Sequence, residues 1–321
     1  RNAQWGLTAP FLFMIFNLNC AAKSNLYPGV EKAIIETINN HNWQASNWAG
    51  RAAQSRLLED IDKIAAMFNV PANNLAFFSS ASEAFCELSK VVDFRLKCSS
   101  IEHQALKQIS DIITHDGDQI NAGSYHNHEL GIAVNGSANI KVLDGTADLM
   151  RPTLADHTVY SCGKHGALPM GLIVSAKPVA GLFYRLDPIK IAALAASCEW
   201  QQSMFGVGRA DGFASIKKIF SDACSQFGQV IEGSAPRVLS YIADHNSELI
   251  IELGEQLGLV LSGGSACNSG NPEPNRSGSI LYGPDVSKRI IRLSWDHTWT
   301  PASASEAANK LTQLHAQLKE M

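Results

Sequence analysis

The sequence predicts an α/β protein, with a large domain built on a mostly parallel sheet and a smaller α+β domain after it. Three observations lead there. Short apolar runs alternate with stretches of helical apolar spacing between about residues 49 and 175, the pattern of strands joined by crossover helices and covered on both faces. At 321 residues the chain is long enough for one large core and a second, smaller one. From about Gly228 the alternation loosens into separate strands and helices. These features divide the chain into a large domain at 18–227 and a small one at 228–321, with 1–17 as an arm packed on the body.

Each element has a local reason. The run Phe11-Leu12-Phe13-Met14-Ile15-Phe16 has no cluster of positive charge before it, and Asn17 and Asn19 end it. It is well short of the roughly 20 residues of a membrane span, so it reads as a strand or arm. Pro28 sits where a first helical turn tolerates it, and Val30, Ala33, Ile34 and Ile38 follow at helical spacing. A longer helix is predicted from about Ala49 to Phe68, with Leu57, Leu58, Ile61, Ile64, Ala65 and Phe68 on one side. Leu75 to Phe78 reads as a buried strand, Ser79 to Glu83 as a small-residue turn, and the next residues as a helix to about Val91. A strand from Phe94 to Cys98 precedes a helix from about Glu102 to Thr114. Further strands are Ile140 to Leu143, ending in Asp144, then Thr158 to Ser161, just before Lys164, then Leu172 to Ser175. The second domain reads as a strand near Arg237 to Ile242, a helix near Ser247 to Leu257, strands near Leu259 and Ile290, and a final helix from about Ala302.

Composition narrows the function classes. Apolar residues make up 45%, charged residues 17%, and the net charge is −4, which leaves no basic footprint for nucleic acid or an anionic membrane. The seven cysteines are odd in number and widely spaced, with no CxxC pair. That argues against a disulfide framework or a structural zinc site, and for a reducing, cytoplasmic setting.

In sheets of this class ligands sit beyond the carboxyl ends of the strands, and the chemistry-bearing residues fall there. Lys164, in Ser161-Cys162-Gly163-Lys164-His165-Gly166, follows a buried strand; an apolar setting would favour its neutral, nucleophilic form, though a surface lysine in a turn reads equally well. Asp144 ends a strand, where it either pairs with a cation or forms an Asp-Gly turn with Gly145. His103 stands at a helix start, placed for stacking and proton transfer, or exposed in a first turn. Ser79 to Ser82 offers amides and hydroxyls at a helix N-terminus, a setting suited to phosphate. Cys267 lies in Ser262-Gly263-Gly264-Ser265-Ala266-Cys267-Asn268-Ser269-Gly270, a loop in which a thiol is placed for reaction rather than packing. Cys86 is predicted on the inner side of a helix, Cys98, Cys198 and Cys224 in the core, and Cys20 and Cys162 near the site. Together these residues supply a lysine, an acid, a stacking ring and a phosphate cradle, the four needs of a pyridoxal-phosphate (PLP) site.

In order and spacing the motifs resemble the cysteine desulfurases, class V PLP enzymes of the aspartate-aminotransferase-like fold. The resemblance runs from Asn17-Leu18-Asn19-Cys20-Ala21-Ala22 through Asn47-Trp48-Ala49-Gly50-Arg51, Ser80-Ala81-Ser82-Glu83 and Glu102-His103. It continues through Asn127-His128-Glu129-Leu130-Gly131, Asp144 and Ser161 to Lys164, and closes with Ser262 to Cys267, Glu273-Pro274 and Ile290-Ile291-Arg292-Leu293-Ser294. It implies that Lys164 carries PLP, Asp144 pairs with the pyridine nitrogen and His103 stacks on the ring. Ser82 and Ser161 would hold the phosphate, with Ala81 and His128 also bordering the cofactor. Arg292, with Asn127, would bind the substrate, its guanidinium taking the carboxylate. Cys267 would take sulfur from L-cysteine as a persulfide, releasing L-alanine. A homodimer and a protein sulfur acceptor are implied as well.

Some positions depart from the family pattern. His128 replaces an asparagine, Ala147 a glutamine and Gly163 a histidine, and Val207 lies near where a threonine is usual. The stretch from His103 to Lys164 is also about 30 to 40 residues shorter than the family's, on the scale of one βα unit. Each lost cofactor hydrogen bond costs roughly 1 kcal/mol. The departures leave two alternatives: another class V PLP reaction (a lyase or aminotransferase), or a diverged, non-catalytic relative.

Overall fold

Elements start and stop where the sequence changes character. The computed structural model describes residues 15–40, 46–113, 120–124, 126–132, 140–146, 150, 153, 155–178, 186–205, 209–233, 235–264 and 275–321. Cys267, Ala147, Val207, Glu273, Pro274 and most of the apolar N-terminal run lie outside the described residues.

In chain order the first half holds β1 (Phe16–Asn17), α1 (Val30–Asn39), α2 (Trp48–Phe68), β2 (Leu75–Phe78), α3 (Ala81–Val91), β3 (Lys97–Ser99), α4 (Gln104–Lys107), β4 (Asp111–Ile113), β5 (Ala122–Ser124) and β6 (Val142–Asp144). Then follow β7 (His157–Ser161), β8 (Gly171–Ser175), α5 (Pro188–Phe205), α6 (Arg209–Cys224), β9 (Gly228–Ile231) and β10 (Val238–Ala243). The chain ends with α7 (Ser247–Gln256), β11 (Leu259–Val260), α8 (Arg276–Tyr282), α9 (Pro284–Ser287), β12 (Ile290–Ser294) and α10 (Pro301–Glu320).

The central sheet has the order β2-β8-β7-β6-β5. Strands β5, β6 and β7 pair in parallel, whereas β8 is antiparallel to both β7 and β2. Four of its five strands therefore point the same way. The strands are buried on both sides, and alternate residues serve two cores. Leu75, Phe77, Tyr160, Leu172 and Val174 face α2 and α5, whereas Ala76, Phe78, Val159 and Ile173 face Phe85 and Leu88 of α3. The β3–β4 pair lies along the β5 edge, where Asn121 N–H donates to Lys97 O (3.1 Å) and Asn121 Oδ1 accepts from Lys97 N–H (2.9 Å).

A second, antiparallel sheet of order β12-β10-β9 is covered by α6 and α10. Ile216, Phe220 and Cys224 of α6 share its core with Leu239, Ile291 and Leu314, so this core draws in residues before 228. Phe16 and Leu18 are buried there too, because β1 pairs in parallel with β11. Among the described residues no helix is long and apolar enough to cross a membrane.

Several local expectations change. The helix predicted over Glu102 to Thr114 is a single turn, α4, after which the chain enters β4 parallel to β3. The β-branched pair Ile112-Ile113 favours the strand, and Arg95 pairs with Asp111 across it. The preceding strand starts at Lys97 rather than Phe94. Helix α1 begins at Val30, capped by Gly29 rather than started by Pro28, and Ile38 is exposed. Cys86 is exposed as well, because the buried face of α3 is Ala84, Phe85 and Leu88 and Cys86 lies about 100° round the helix from Phe85.

One glycine ties the sheet to α3. A Cβ on Gly171 would run into the carbonyl oxygen of Ser80 and come within 2.8 Å of Ala81 N, and that carbonyl already accepts from Ala84 N–H at 3.0 Å. Gly171→Ala should therefore cost about 1–3 kcal/mol of unfolding free energy through overpacking, measured by urea melts; an unchanged midpoint would contradict this packing.

Candidate active site

Parallel strands that end at one level bring their last residues together. Asp144 ends β6, Ser161 ends β7, and the next residues, Cys162–His165, form one tight helical turn that carries Lys164. Gly145 lets the chain leave β6 beside the Tyr160 ring, which a Cβ there would strike. On the same side, β2 passes into α3, whose N-cap Ser80 accepts from Glu83 N–H through its side chain (3.1 Å). Among the described residues the N–H groups of Ala81 and Ser82 have no protein acceptor, which leaves a helix N-terminus open to an anion.

These parts enclose a cavity of about 180 Å³. It is lined by Ala81, Ser82, His103, His128, Asp144, Ser161 and Lys164, all seven of the cofactor-contact candidates from the sequence. Asp144 is buried, and its Oδ1 accepts from Thr146 N–H at 3.0 Å. Nδ1 of His103 accepts from Ala105 N–H at 3.1 Å, so the neutral ring carries its proton on Nε2. The His103 and His128 rings meet edge to face, with centroids 4.7 Å apart.

The two substrate candidates lie elsewhere. Arg292 is 2% exposed and lines no part of the cavity. Its Nη1 donates to His128 O (3.0 Å) and its Nη2 to Asn19 Oδ1 (2.8 Å) and Ser262 Oγ (3.3 Å). Asn127 is buried and holds backbone: Nδ2 donates to Ile101 O (2.7 Å) and Ser277 Oγ (3.0 Å), while Oδ1 accepts from Glu129 and Leu130 N–H. Cys267 lies outside the described residues, but both flanks of its segment are fixed close to the site. Ser262 O accepts from Arg292 N–H (2.7 Å), and Ser277 N–H donates to Glu129 Oε2 (2.6 Å).

Sequence reading missed Ser124, His126 and Thr146, which also line the cavity. The spacing His126-x-His128 was a usable signal, since alternate residues of an extended segment share a side. Glu102 was read only as His103's neighbour. It is buried, and its two oxygens accept from Ser124 N–H (3.0 Å) and Oγ–H (2.8 Å).

Burial sets the protonation of several groups. It holds His128 well below the usual histidine range, and the electrostatic fields of the neighbouring His103, Lys164 and Arg292 add to this. His165 is lowered in the same way by burial, then by Arg237 and Lys164, and neither of its ring nitrogens has a hydrogen-bond partner among the described residues. Burial, then the Asp296 carboxylate, pushes the Cys20 thiol up; burial raises Cys98 to about 11.

Solved structures share this architecture. A NifS-like protein superposes with a TM-score of 0.76 at 14% identity, covering 94% of this chain and 100% of its own. A NifS-like protein from Rickettsia africae ESF-5 gives 0.71 at 15% identity, covering 96% and 100%. The chain has the fold of NifS-like proteins. A third structure, SspA in complex with cysteine, gives 0.64 at 15% identity, covering 87% and 98%. No protein-family model and no curated protein matches the sequence.

The donor set suits PLP: an amine, a buried carboxylate, a stacking imidazole and an open helix N-terminus with hydroxyls, all on one cavity. His128 and His165, together with His157 and His315, which burial also lowers, fix a pH response. Below pH 6.5 the unfolded chain takes up protons that folded His128 and His165 refuse, so stability is lost as pH falls from about 6.5. Urea melts between pH 7.5 and 5 should show a decline of up to about 1.4 kcal/mol per pH unit for each histidine. A flat profile would show that these rings protonate freely in the fold.

Proposed function

We propose that the protein is a PLP-dependent enzyme of the cysteine desulfurase type, converting L-cysteine to L-alanine with the sulfur taken by Cys267. The observation that carries this reading is the convergence of Lys164, Asp144, His103 and the Ser80–Ser82 helix end on one cavity beyond the strand ends. The NifS-like fold and the sequence resemblance to cysteine desulfurases support it, as does a structural neighbour in complex with cysteine.

Lys164 would hold the cofactor covalently, Ala81 and Ser82 amides with the Ser82 and Ser161 hydroxyls would take its phosphate, and His103 would cover its ring. When bound, PLP supplies an electron sink that weakens bonds around the substrate's Cα and Cβ. Asp144 would keep the pyridine nitrogen protonated. One of its oxygens is committed to Thr146 N–H, and among the described residues the other carries no hydrogen bond. Lys164, once released, is placed to move a proton at the substrate Cα, and His103 presents Nε2–H nearby. His128, held neutral, would add no charge beside Lys164. Arg292 was the sequence candidate for the substrate carboxylate; three protein acceptors already share its guanidinium.

The thiolate role falls to Cys267. In the step it would perform, the substrate Cβ–S bond breaks, an S–S bond forms at Cys267, and Cβ gains a proton. Cys20 borders the site but is held as a thiol. Cys98, Cys162, Cys198 and Cys224 are buried, and Cys86 is exposed on α3. A homodimer, a protein acceptor for the sulfur and a cytoplasmic setting complete the proposal. Ile35 and Ile38 on α1 and Leu58 on α2 are exposed apolar side chains that a dimer would be expected to cover, and a clean monomer mass for the PLP-loaded protein in sedimentation would refute it.

Protein incubated with PLP should gain the visible band of a lysine-bound cofactor, and Lys164→Ala should lack it. A protein that stays colourless would overturn the reading. Cys267→Ser should keep the band and bind L-cysteine while forming no persulfide or sulfide, and Cys86→Ser should turn over normally. Alanine release retained in Cys267→Ser would move the function to another PLP reaction.

A further inference from the structure

Between β1 and α1 the chain runs from the second sheet to the Lys164 turn, and it is tied at both ends. At the sheet end, Cys20 N–H donates to Ser294 O (3.3 Å) and Ala21 N–H to Ser294 Oγ (2.8 Å). At the lysine end, Ser24 N–H donates to Gly163 O (3.3 Å) and Tyr27 N–H to Gly166 O (2.9 Å). Gly163 immediately precedes Lys164, and Gly166 follows it by two residues. Residues 24–27 therefore bracket the lysine in its single helical turn. The fit is close. Gly166 has φ +72°, and a Cβ there would strike the Tyr27 ring, which packs on Trp200 with centroids 4.2 Å apart.

One carboxylate holds this strap. Asp296 lies two residues beyond the end of β12 and is fully buried. Its Oδ2 accepts from Asn25 N–H (2.9 Å) and Ser24 Oγ–H (3.4 Å), and its Oδ1 from Thr298 N–H (3.0 Å) and Oγ1–H (2.7 Å). Burial pushes this carboxyl up, but the hydrogen bonds from Thr298 and Asn25 outweigh it and hold the group below the usual carboxylate range. One oxygen is thus spent on the strap and the other on the loop that carries Asp296. The residue lines neither hollow, so it reaches the chemistry only through what it holds.

We propose that Asp296 is a positioning residue for Lys164: it fixes the Ser24–Tyr27 strap, and the strap fixes the carbonyls on either side of the lysine. The inference rests on the reading that Lys164 carries PLP. When PLP binds, the Lys164 nitrogen bonds to the aldehyde carbon and the aldehyde oxygen leaves as water. That bond forms readily only where the amine is already aimed at the carbon. Because β12 also carries Arg292, the same anchor relates the lysine turn to the strand that bears this guanidinium.

The test compares two ligands by equilibrium dialysis, so turnover plays no part. PLP can bond to Lys164; pyridoxamine 5'-phosphate has the same ring and phosphate but no aldehyde for an amine to bond. Asp296→Asn removes the charge and turns one acceptor oxygen into a donor that faces other donors. It should weaken PLP binding by about tenfold and leave pyridoxamine 5'-phosphate within about twofold. A residue that merely held the fold together would weaken both. Ser24→Ala, which withdraws one donor from Oδ2, should show the same selectivity with a loss of about threefold, and it serves if the asparagine variant does not fold. The inference is overturned if the two ligands weaken together or if neither does. A wild-type protein that binds no PLP overturns the functional reading, and this inference with it; normal wild-type binding without the selective loss overturns this inference alone.

Discussion

The carboxamide of Asn127 spends both N–H groups and its oxygen on partners from three separate stretches of chain: Ile101, the pair Glu129 and Leu130, and Ser277. The first stretch leads into His103, the second contains His128, and the third closes the segment that carries Cys267. Such a site has no apolar substitute, because removing the side chain would leave the buried N–H groups of Glu129 and Leu130 unpaired at about 1–3 kcal/mol each. Glu129 adds a second tie through Ser277 N–H, and Gly131 N–H returns to Asn127 O at 2.8 Å. The positions of the His103 and His128 rings follow from this knot.

Charge is distributed unevenly around it. The two buried carboxylates nearest the knot, Glu102 and Glu129, are committed to Ser124 and Ser277. Lys164 and Arg237 border the hollows, and Arg292 lies just behind His128. The two hollows are thus bordered by Lys164 and Arg237 as cations and by Asp144 as the acid.

How far the sequence could be read depended on the range of the interactions involved. Strands β2, β7 and β8 were legible because three to five consecutive residues of each are buried, a pattern carried locally. Lys164, Asp144 and the Ser80–Ser82 turn were legible because strand ends define where ligands gather. The run after His103 misled because its apolar residues fit a helical period, whereas Ile112 and Ile113 pair with Cys98 and Ser99 of β3. The different settings of Arg237 and Arg292 were invisible in the sequence, where each adjoins an apolar run. Only the folded structure shows Arg292 donating to His128 O, Asn19 Oδ1 and Ser262 Oγ, with its Nε making no hydrogen bond among the described residues, and Arg237 bordering the small hollow beside Lys164.

Lys164, Thr146 and His128 border both hollows, so these three residues make the partition between them. Side chains can swing where a backbone wall cannot. For inhibitor design the two spaces therefore amount to a single bent slot. A flat heteroaromatic with one arm at the α3 terminus and the other beside Arg237 would span it, and its selectivity would come from the angle between the arms.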